Sequence, residues 1–416
     1  MRNPPKPAVG MAKIANSTIS PEATQKLGRV KWRETRTGSE LSGIGSLFFS
    51  CSHLNLGGYR QNGQSLFAGR ADWPQIFGGG VCPQHRIAAY SGGMASLPGS
   101  TYGANRAIVT ITVNPALDLS TSTATVVSEH KLRCGPTRLD PGGGGINVSR
   151  VVHRLGGESL AIFAVGGLTG ESLRRMLDTE GISSRAIPIA GTTRQSFTVD
   201  ETDTDKQFRF VLQGPELTEA EWRSCLSALE QTIVTGGYVV ASGSLPPGVP
   251  DDFYARVARL ARDRDARLVL DASGDSLREA LSEGVYLIKP SRRELGELVG
   301  ESLETDQSEA DAASELVAKG STELVALTRG AEGALLASAA GISRLAVPPV
   351  RVQSTVGAGD GFLGAFVLRL AQGRDPEAAF RTAVAAGTAT TMTPATNLCR
   401  PEDVAALEAQ LSSTTH

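Results

Sequence analysis

A glycine-rich turn that ends in a carboxylate is the part of this sequence best suited to chemistry. It reads TVGAGD at residues 355–360 and continues into the apolar segment FLGAFVL at 362–368, which predicts a helix. Such a turn directs unpaired backbone N–H groups at one point, and the helix dipole adds partial positive charge there, so the turn is suited to hold a phosphate. Asp360 would repel a resting phosphate, and its presence is explained best if it removes a proton from a hydroxyl that attacks the phosphate. The turn therefore indicates phosphoryl transfer.

Two observations limit what this turn shows by itself. Gly-x-Gly turns also precede helices for backbone reasons alone, and an aspartate near a helix start is an ordinary cap. The sequence contains no Gly-x-x-x-x-Gly-Lys-Ser/Thr phosphate loop, and the Gly-rich loop, His-Arg-Asp and Asp-Phe-Gly set of protein kinases is missing too. A kinase built on this turn therefore belongs to another class.

A second glycine cluster, PGGGGIN at residues 141–147, leads into the segment VSRVVHRL at 148–155, which predicts a helix. Four consecutive glycines are costly in backbone entropy, so a structured site must gain from them, most simply because a ligand can approach main-chain N–H groups closely. Asn147 can donate and accept hydrogen bonds toward a sugar hydroxyl. The alternative interpretation is a flexible hinge or linker.

Polar side chains elsewhere suit a phosphorylated sugar. A carboxylate suits vicinal hydroxyls, whereas Lys and Arg suit a phosphate dianion. The loop SGSLPPG at 242–248 follows an apolar run, and ligands bind at the carboxyl ends of parallel strands, although its Pro-Pro is equally compatible with a simple turn. Each residue alone is unremarkable, because surface Lys and Arg are usually only solvated. The candidates are Asp118, Lys131, Arg133, Arg194 and Ser244.

The elements that must position these residues alternate between short apolar runs and amphipathic helices from Ala107 onward, as a parallel α/β sheet requires. The pattern predicts a doubly wound core with strands at 108–113, 160–165, 238–242, 267–271, 285–288 and 324–328. Helices are predicted near 146–156, 170–180, 218–233, 251–264, 292–299 and 308–319, followed by a helical tail from Ala358. Two further segments, 119–133 and 194–212, are predicted to form antiparallel strands that cover a site or form a dimer contact.

The first 105 residues differ from the rest of the 416-residue chain. They contain 11 Lys/Arg and 4 Asp/Glu, a net charge of +7, whereas the remainder has 30 and 39, a net charge of −9. They are rich in Gly, Ser, Pro and Asn and show no sustained period of 2 or 3.6, so we expect a disordered N-terminal extension before a domain at 106–416. A transit peptide and an over-extended reading frame, with translation starting at Met94, are the alternatives.

Cysteine usage and hydropathy favour a cytoplasmic protein. The five cysteines are scattered without a C-x-x-C pair, which argues against a disulfide framework or a zinc site. No run of 18 apolar residues could span a bilayer, and the first seven residues lack the apolar core of a secretory signal. We expect neither a membrane nor a nucleic acid among the partners.

The motifs resemble those of the ribokinase-like, phosphofructokinase-B sugar kinases. Asp118, the 142–147 cluster, the 242–248 loop and the 355–360 turn occur in the order of that family, and the resemblance covers about residues 107–412. It implies a three-layer α/β/α core with a mostly parallel sheet and a small β-sheet lid. It also implies ATP- and Mg2+-dependent phosphorylation of fructose 6-phosphate to fructose 1,6-bisphosphate, and a homodimer paired through the lid. Tagatose 6-phosphate and fructose 1-phosphate are the alternative substrates.

The resemblance also implies a role for each candidate residue. Asp360 would be the base that takes the proton from the sugar's primary hydroxyl. Gly357, Ala358 and Gly359 would form the anion hole for the transferring phosphoryl group, and Lys131 would stand near the developing charge. The sugar phosphate would be bound by Asp118, Gly143, Gly144, Asn147, Arg133, Arg194, Ser244 and, from the lid, Arg209. The nucleotide would be bound by Lys289, Thr328, Gly330, Gly333, Thr355, Gly357 and Gly359, with Glu294 acting on Mg2+ through water.

One motif departs from the family pattern. The family usually has Asn-x-x-Glu after Lys-Pro, where it helps organise Mg2+ and the nucleotide phosphates, whereas this chain has SRRE at 291–294. Glu294 is retained and Ser291 can offer a hydroxyl to a water of a hydrated ion, but Arg292 and Arg293 bring charge nearby. The change leaves a non-catalytic sugar-phosphate sensor as an alternative, although Asp360 and the anion-hole glycines favour an enzyme.

Overall fold

The computed structural model describes residues 106–413, in which strands and helices alternate along most of the chain. The strands are β1 (Ile108–Thr112), β2 (Ala116–Thr123), β3 (Arg138–Gly142), β4 (Leu160–Val165), β5 (Ser184–Pro188), β6 (Arg194–Glu201), β7 (Lys206–Phe210), β8 (Tyr238–Ser242), β9 (Arg267–Asp271), β10 (Val285–Ile288), β11 (Thr322–Thr328), β12 (Ala334–Ser338) and β13 (Gly341–Leu345). The helices are α1 (Gly144–Arg154), α2 (Gly167–Thr179), α3 (Glu219–Glu230), α4 (Phe253–Asp263), α5 (Gly274–Leu281), α6 (Arg292–Val299), α7 (Asp306–Ala318), α8 (Ala358–Ala371), α9 (Pro376–Thr391) and α10 (Pro401–Ser413).

A nine-stranded sheet forms the centre of the fold, in the order β13-β12-β11-β10-β9-β8-β1-β4-β5. The seven strands from β11 to β5 run parallel, and β12 and β13 add an antiparallel hairpin at one edge. Parallel neighbours need long crossovers, which explains the helices between them. The six predicted core strands are confirmed within two residues at each end, whereas β5, the β12–β13 hairpin and α5 were not predicted.

Helices cover both faces of this sheet because successive side chains along a strand point to opposite sides. Val109 and Ile111 of β1 join a core with α3, α4, α5, α6 and α7, whereas Ile108 joins a core with α1, α8, α9 and α10. A smaller cluster around Phe163 packs α1 and α2 on the sheet near β4. These layers confirm the predicted three-layer α/β/α architecture.

A second sheet of four strands, in the order β3-β2-β6-β7, is also present. Strands β2 and β6 pair in parallel, and the outer pairs are antiparallel. The prediction for 119–133 was partly wrong, because only 116–123 is a strand and 124–137 has no regular structure; the partner strand is β3, at the glycine cluster.

Within residues 106–413, no helix is both long and apolar enough to cross a membrane. The predictions for residues 1–105 lie outside the described residues.

Candidate active site

The turn at 355–360 forms the start of α8. Gly357 precedes the helix with a φ of 78°, and a Cβ there would come 2.9 Å from Leu398 Cδ2, so both the backbone conformation and the space require glycine. The N–H groups of Gly359 and Asp360 lie in the first turn, where no preceding turn supplies a carbonyl partner. The structure thus has free backbone donors at the positive end of a 14-residue helix, where the sequence predicts an anion hole.

Asp360 is partly buried beside these donors. Asn147 Nδ2 donates to Asp360 Oδ2 at 2.9 Å, which joins the two glycine motifs across the site. Burial and the nearby Asp271 carboxylate raise the pKa of Asp360 to about 7, against the opposing effects of Asn147 and Lys289. A carboxylate with a pKa near neutrality is suited to act as a general base.

Lys289 supplies the buried positive charge of the site. Its Nζ lies 3.2 Å from Asp271 Oδ1, and it is also 3.1 Å from the position that a Cβ on Gly359 would take. Burial lowers its pKa, but Asp271, Asp360 and Glu294 together outweigh burial and raise it, so Lys289 stays charged at neutral pH. Sequence reasoning missed Asp271; its signal was a carboxylate at the carboxyl end of β9, where ligands bind in such sheets.

A cavity of about 510 Å³ opens in front of Asp360. Such a volume is typical of small-molecule sites. Helix α8, the second sheet and the carboxyl ends of β8 and β9 all contribute to its walls. The predicted residues that line it are Asp118, Gly143, Gly144, Asn147, Arg194, Arg209, Ser244, Glu294, Gly357 and Asp360.

Asp118 lies on β2, opposite the glycine cluster. A Cβ on Gly142 would come 2.3 Å from Asp118 Oδ2, so a glycine is needed for the carboxylate to lie there. Burial raises the pKa of Asp118 to about 6, and the charges of Arg194 and Arg209 oppose this rise. The pair of arginines therefore places positive charge beside the one carboxylate that the second sheet directs into the cavity.

The two arginines differ in how they are held. Arg194 donates to the backbone oxygens of Leu212 at 2.9 Å and of Asn114 at 3.0 Å, which fixes it between the second sheet and the end of β1. Arg209 on β7 is exposed, and its guanidinium makes no hydrogen bond or ion pair with the residues between 106 and 413. Its guanidinium is therefore the more available of the two for a ligand's phosphate.

Lys131 and Arg133 do not reach this cavity. Both are exposed in the irregular segment 124–137, and neither lines the space in front of Asp360. The prediction that they stand near the sugar phosphate or the transferring charge is not matched by their placement in this chain. The sequence showed their charge but not that the segment leaves the second sheet after Thr123.

A second cavity, of about 610 Å³, lies on the other side of the turn. Its walls include the predicted nucleotide residues Thr328, Gly330, Gly333, Thr355 and Gly359, together with apolar side chains from 347–352, α8 and α9. The turn separates the two cavities, because Gly357 and Asp360 face the first and Thr355, Ala358 and Gly359 face the second. This arrangement gives one anion-binding point with an adjoining space on each side.

The SRRE segment forms a capping box at the start of α6. Glu294 Oε2 accepts from the Ser291 N–H and Oγ–H, both at 2.8 Å, and Ser291 Oγ accepts from the Glu294 N–H at 3.3 Å. Arg292 is paired with Glu309 and Glu332, and Arg293 is paired with Glu297 at 2.9 Å. The charges of both arginines are thus compensated by carboxylates, while Glu294 still lines the first cavity.

A buried ion cluster anchors the loop that lines the second cavity. Glu309 of α7 is 1% exposed and is paired with Arg292, while its Oε2 lies 2.8 Å from Arg329 Nε. Arg329 directly precedes Gly330, and its Nη2 also lies 3.2 Å from Glu332 in the same loop. The cluster fixes this loop to α6 and α7.

A further cavity, of about 1010 Å³, lies at the amino ends of the central parallel strands. Arg106, Arg267 and Tyr286 are among the residues that line it, and none of the sequence motifs reaches it. Because ligands of open α/β sheets bind outside the carboxyl ends of the strands, the two smaller cavities at α8 form the candidate active site.

The fold and the site together define a ribokinase-like sugar kinase: a doubly wound core with a partly buried carboxylate at a helix start between two cavities. The chain belongs to the pfkB family of carbohydrate kinases, whose family model matches residues 113–403. The family and activity class implied by the sequence motifs are thereby confirmed.

Three similar proteins carry more specific names. An ATP-dependent 6-phosphofructokinase isozyme 2 from Mycobacterium tuberculosis is 48% identical over 297 residues, covering 71% of this chain and 87% of the relative. A 1-phosphofructokinase from Bacillus subtilis is 32% identical over 286 residues, covering 68% and 92%. The tetrameric inhibited form of phosphofructokinase-2 from Escherichia coli matches with a TM-score of 0.70 and 38% identity, covering 74% of this chain and 99% of that one.

Proposed function

We propose that this protein is an ATP-dependent 6-phosphofructokinase that transfers a phosphoryl group to fructose 6-phosphate and forms fructose 1,6-bisphosphate. The observation that carries the proposal is Asp360, partly buried beside free N–H groups at a helix start between two cavities. The higher identity to the 6-phosphofructokinase than to the 1-phosphofructokinase supports this substrate over fructose 1-phosphate.

In this proposal the first cavity holds the sugar and the second holds ATP. Asp360 takes the proton from the sugar's primary hydroxyl, the oxygen attacks the terminal phosphorus of ATP, and ADP leaves into the second cavity. The N–H groups of Gly359 and Asp360 and the Lys289 ammonium stabilise the charge of the transferring phosphoryl group. Asp118, Gly143, Gly144, Asn147 and Ser244 hold the hydroxyls, and Arg194 and Arg209 hold the sugar's own phosphate.

The residues present fit a Mg2+ ion bound mainly through the nucleotide and water. Among residues 106–413 no group of three or more His, Cys, Asp or Glu could form a metal cage, so direct protein ligation is not the expected mode. Glu294 uses Oε2 in the capping box, which leaves Oε1 for a water of a hydrated ion. When bound, Mg2+ would neutralise charge on the phosphates of ATP.

Coupled ADP release with three ketohexose phosphates tests the proposal. We expect the highest kcat/KM with fructose 6-phosphate, and lower values with tagatose 6-phosphate and fructose 1-phosphate, because hydrogen-bonding sites reject a misplaced hydroxyl or phosphate strongly. Asp360→Asn is the matched inactive control. Preference for another of the three would change the substrate, and no turnover of any by folded protein would support the sensor and refute the kinase.

The domain boundaries and the assembly belong to the same proposal. We place the kinase domain at 106–416, with the second sheet as a lid over the sugar and as the contact of a homodimer in the cytoplasm. Phe210 and Val211, at the end of edge strand β7, are 43% and 64% exposed, and Phe210 stacks on Phe197 with ring centroids 4.6 Å apart. Such an edge can pair with a second copy. Light scattering of Val211→Lys and the parent protein tests this; an unchanged mass would refute the contact.

A further inference from the structure

Four side chains form one hydrogen-bonded chain that reaches Asp360 through α1. Arg150 lies three residues after Asn147 and is 1% exposed; its Nε and Nη2 donate to the two carboxylate oxygens of Glu180 at 2.7 and 2.8 Å. Its Nη1 donates to Asn147 Oδ1 at 3.1 Å, and Asn147 Nδ2 donates to Asp360 Oδ2 at 2.9 Å. Glu180, Arg150, Asn147 and Asp360 are thus connected in that order.

The Arg150 guanidinium decides which way the Asn147 amide points. Arginine has only donors, so the amide atom that faces it must be the acceptor oxygen. The NH2 group then faces Asp360 and can donate to its carboxylate. The reversed amide would place N–H groups against the guanidinium and an oxygen against the carboxylate, and both contacts would leave buried groups unsatisfied.

Arg150 itself is held from several sides. Besides the bidentate contact with Glu180, its Nη1 donates to the carbonyl oxygens of Pro141 at 3.1 Å and of Thr396 at 3.3 Å. Pro141 begins the glycine cluster, and Thr396 lines the sugar cavity. A buried guanidinium with this set of charge-assisted bonds has little freedom to turn, so the amide of Asn147 is fixed with it.

We propose that Arg150 is a positioning residue for the base: acting through Asn147, it holds an N–H donor against the Asp360 carboxylate. This inference rests on the proposed function of Asp360. Arg150 does not touch the cavity, and the sequence motifs gave it no role.

The charges around Asp360 determine the direction of the expected effect. Asn147 faces it from α1, Asp271 from β9, Lys289 from β10 and Asp118 from β2; burial and the two carboxylates raise its pKa to about 7. The Asn147 hydrogen bond opposes that rise, so its loss must raise the pKa further. Arg154 and Asp118 are the other charged groups that interact with Arg150.

The pH dependence of kcat tests this inference. In Arg150→Met we expect the acidic limb of the pH profile of kcat to move up by about one pH unit and kcat at pH 7 to fall about fivefold, because the base loses an oriented donor. In Asn147→Leu the limb should move similarly, and in the double variant it should move no further, because both changes remove the same contact. Arg150→Lys keeps a donor, so its acidic limb should move less than that of Arg150→Met.

Arg154→Met is the matched control, because Arg154 lies one turn further along α1 and bonds the backbone of Asn397 in the loop that also holds Thr396. It should lower the melting temperature without moving the limb. An Arg150→Met protein that is destabilised but keeps the parent limb would refute the inference. If Arg150→Met does not fold, Glu180→Gln decides: a smaller upward shift supports the inference, and no shift overturns it. If Asp360→Asn keeps the parent limb and rate, the proposed function fails instead.

Discussion

The charge state of Asp360 gives the sharpest prediction. With a pKa of about 7, Asp360 is ionised, as the proposed base must be, in about one molecule in ten at pH 6 and in about nine in ten at pH 8. The kcat/KM for fructose 6-phosphate should therefore fall about tenfold per pH unit below 7 and level off above 8. Asp360→Asn removes the base with almost no change of shape, and kcat should fall on the order of 10² to 10⁴-fold.

The same pKa makes a prediction about stability. The folded protein binds the Asp360 proton more tightly than the unfolded chain, whose pKa is near 3.8, so the stability contributed by the neutral group is lost as pH rises toward 7. Above that pH the buried charge costs on the order of a few kcal/mol, and the Asn variant avoids this cost. The melting temperature of Asp360→Asn relative to the parent protein should therefore increase between pH 5 and pH 8.

Two measurements check this reasoning. Coupled ADP release between pH 5.5 and 9 measures the acidic limb of the pH profile of kcat/KM. Thermal unfolding at pH 5 and pH 8 measures the difference in melting temperature between Asp360→Asn and the parent protein. Asp311→Asn, which changes an exposed carboxylate on α7, is the control and should alter neither. A limb that persists in Asp360→Asn belongs to another group, such as the substrate's phosphate. Loss of less than about tenfold in kcat would refute the role of Asp360 as the base.

Three further changes test other parts of the site. Gly357→Ala forces a residue with a Cβ into a left-handed conformation 2.9 Å from Leu398 Cδ2; it should cost roughly 1–3 kcal/mol and lower kcat, as measured by denaturant unfolding and turnover. Glu309→Gln weakens the ion cluster beside the nucleotide loop and should raise KM for ATP roughly threefold to tenfold, with little change in KM for the sugar. The surface variant Glu297→Gln is the control and should leave KM for ATP unchanged. Equal changes in both KM values of Glu309→Gln would contradict this prediction. Deletion of residues 1–93 should leave kcat and both KM values unchanged, and a truncated protein that fails to fold would show that this segment was misinterpreted.

Local pattern predicted most of the central sheet because its strands are short apolar runs bounded by turns. The missed elements lacked this signal. Strand β5 reads SRAIP and is only partly buried, and α5 has only eight residues and begins with a glycine. In the second sheet, β3 contains Asp140, Pro141 and Gly142, so its composition indicated a loop; its pairing with β2 comes from long-range contacts.

The sequence by itself determined which motifs make up the candidate site, because its glycine clusters and Asp360 are local features whose backbone requirements are visible in the residue types. Tertiary structure decided which charges meet there. Asp271 and Lys289 end neighbouring parallel strands, and only their pairing in the sheet places both near Asp360. It also separated Lys131 from the cavity and connected Arg150, through Asn147, to Asp360. Contacts between residues far apart in the chain depend on how the elements pack, which no local pattern specifies.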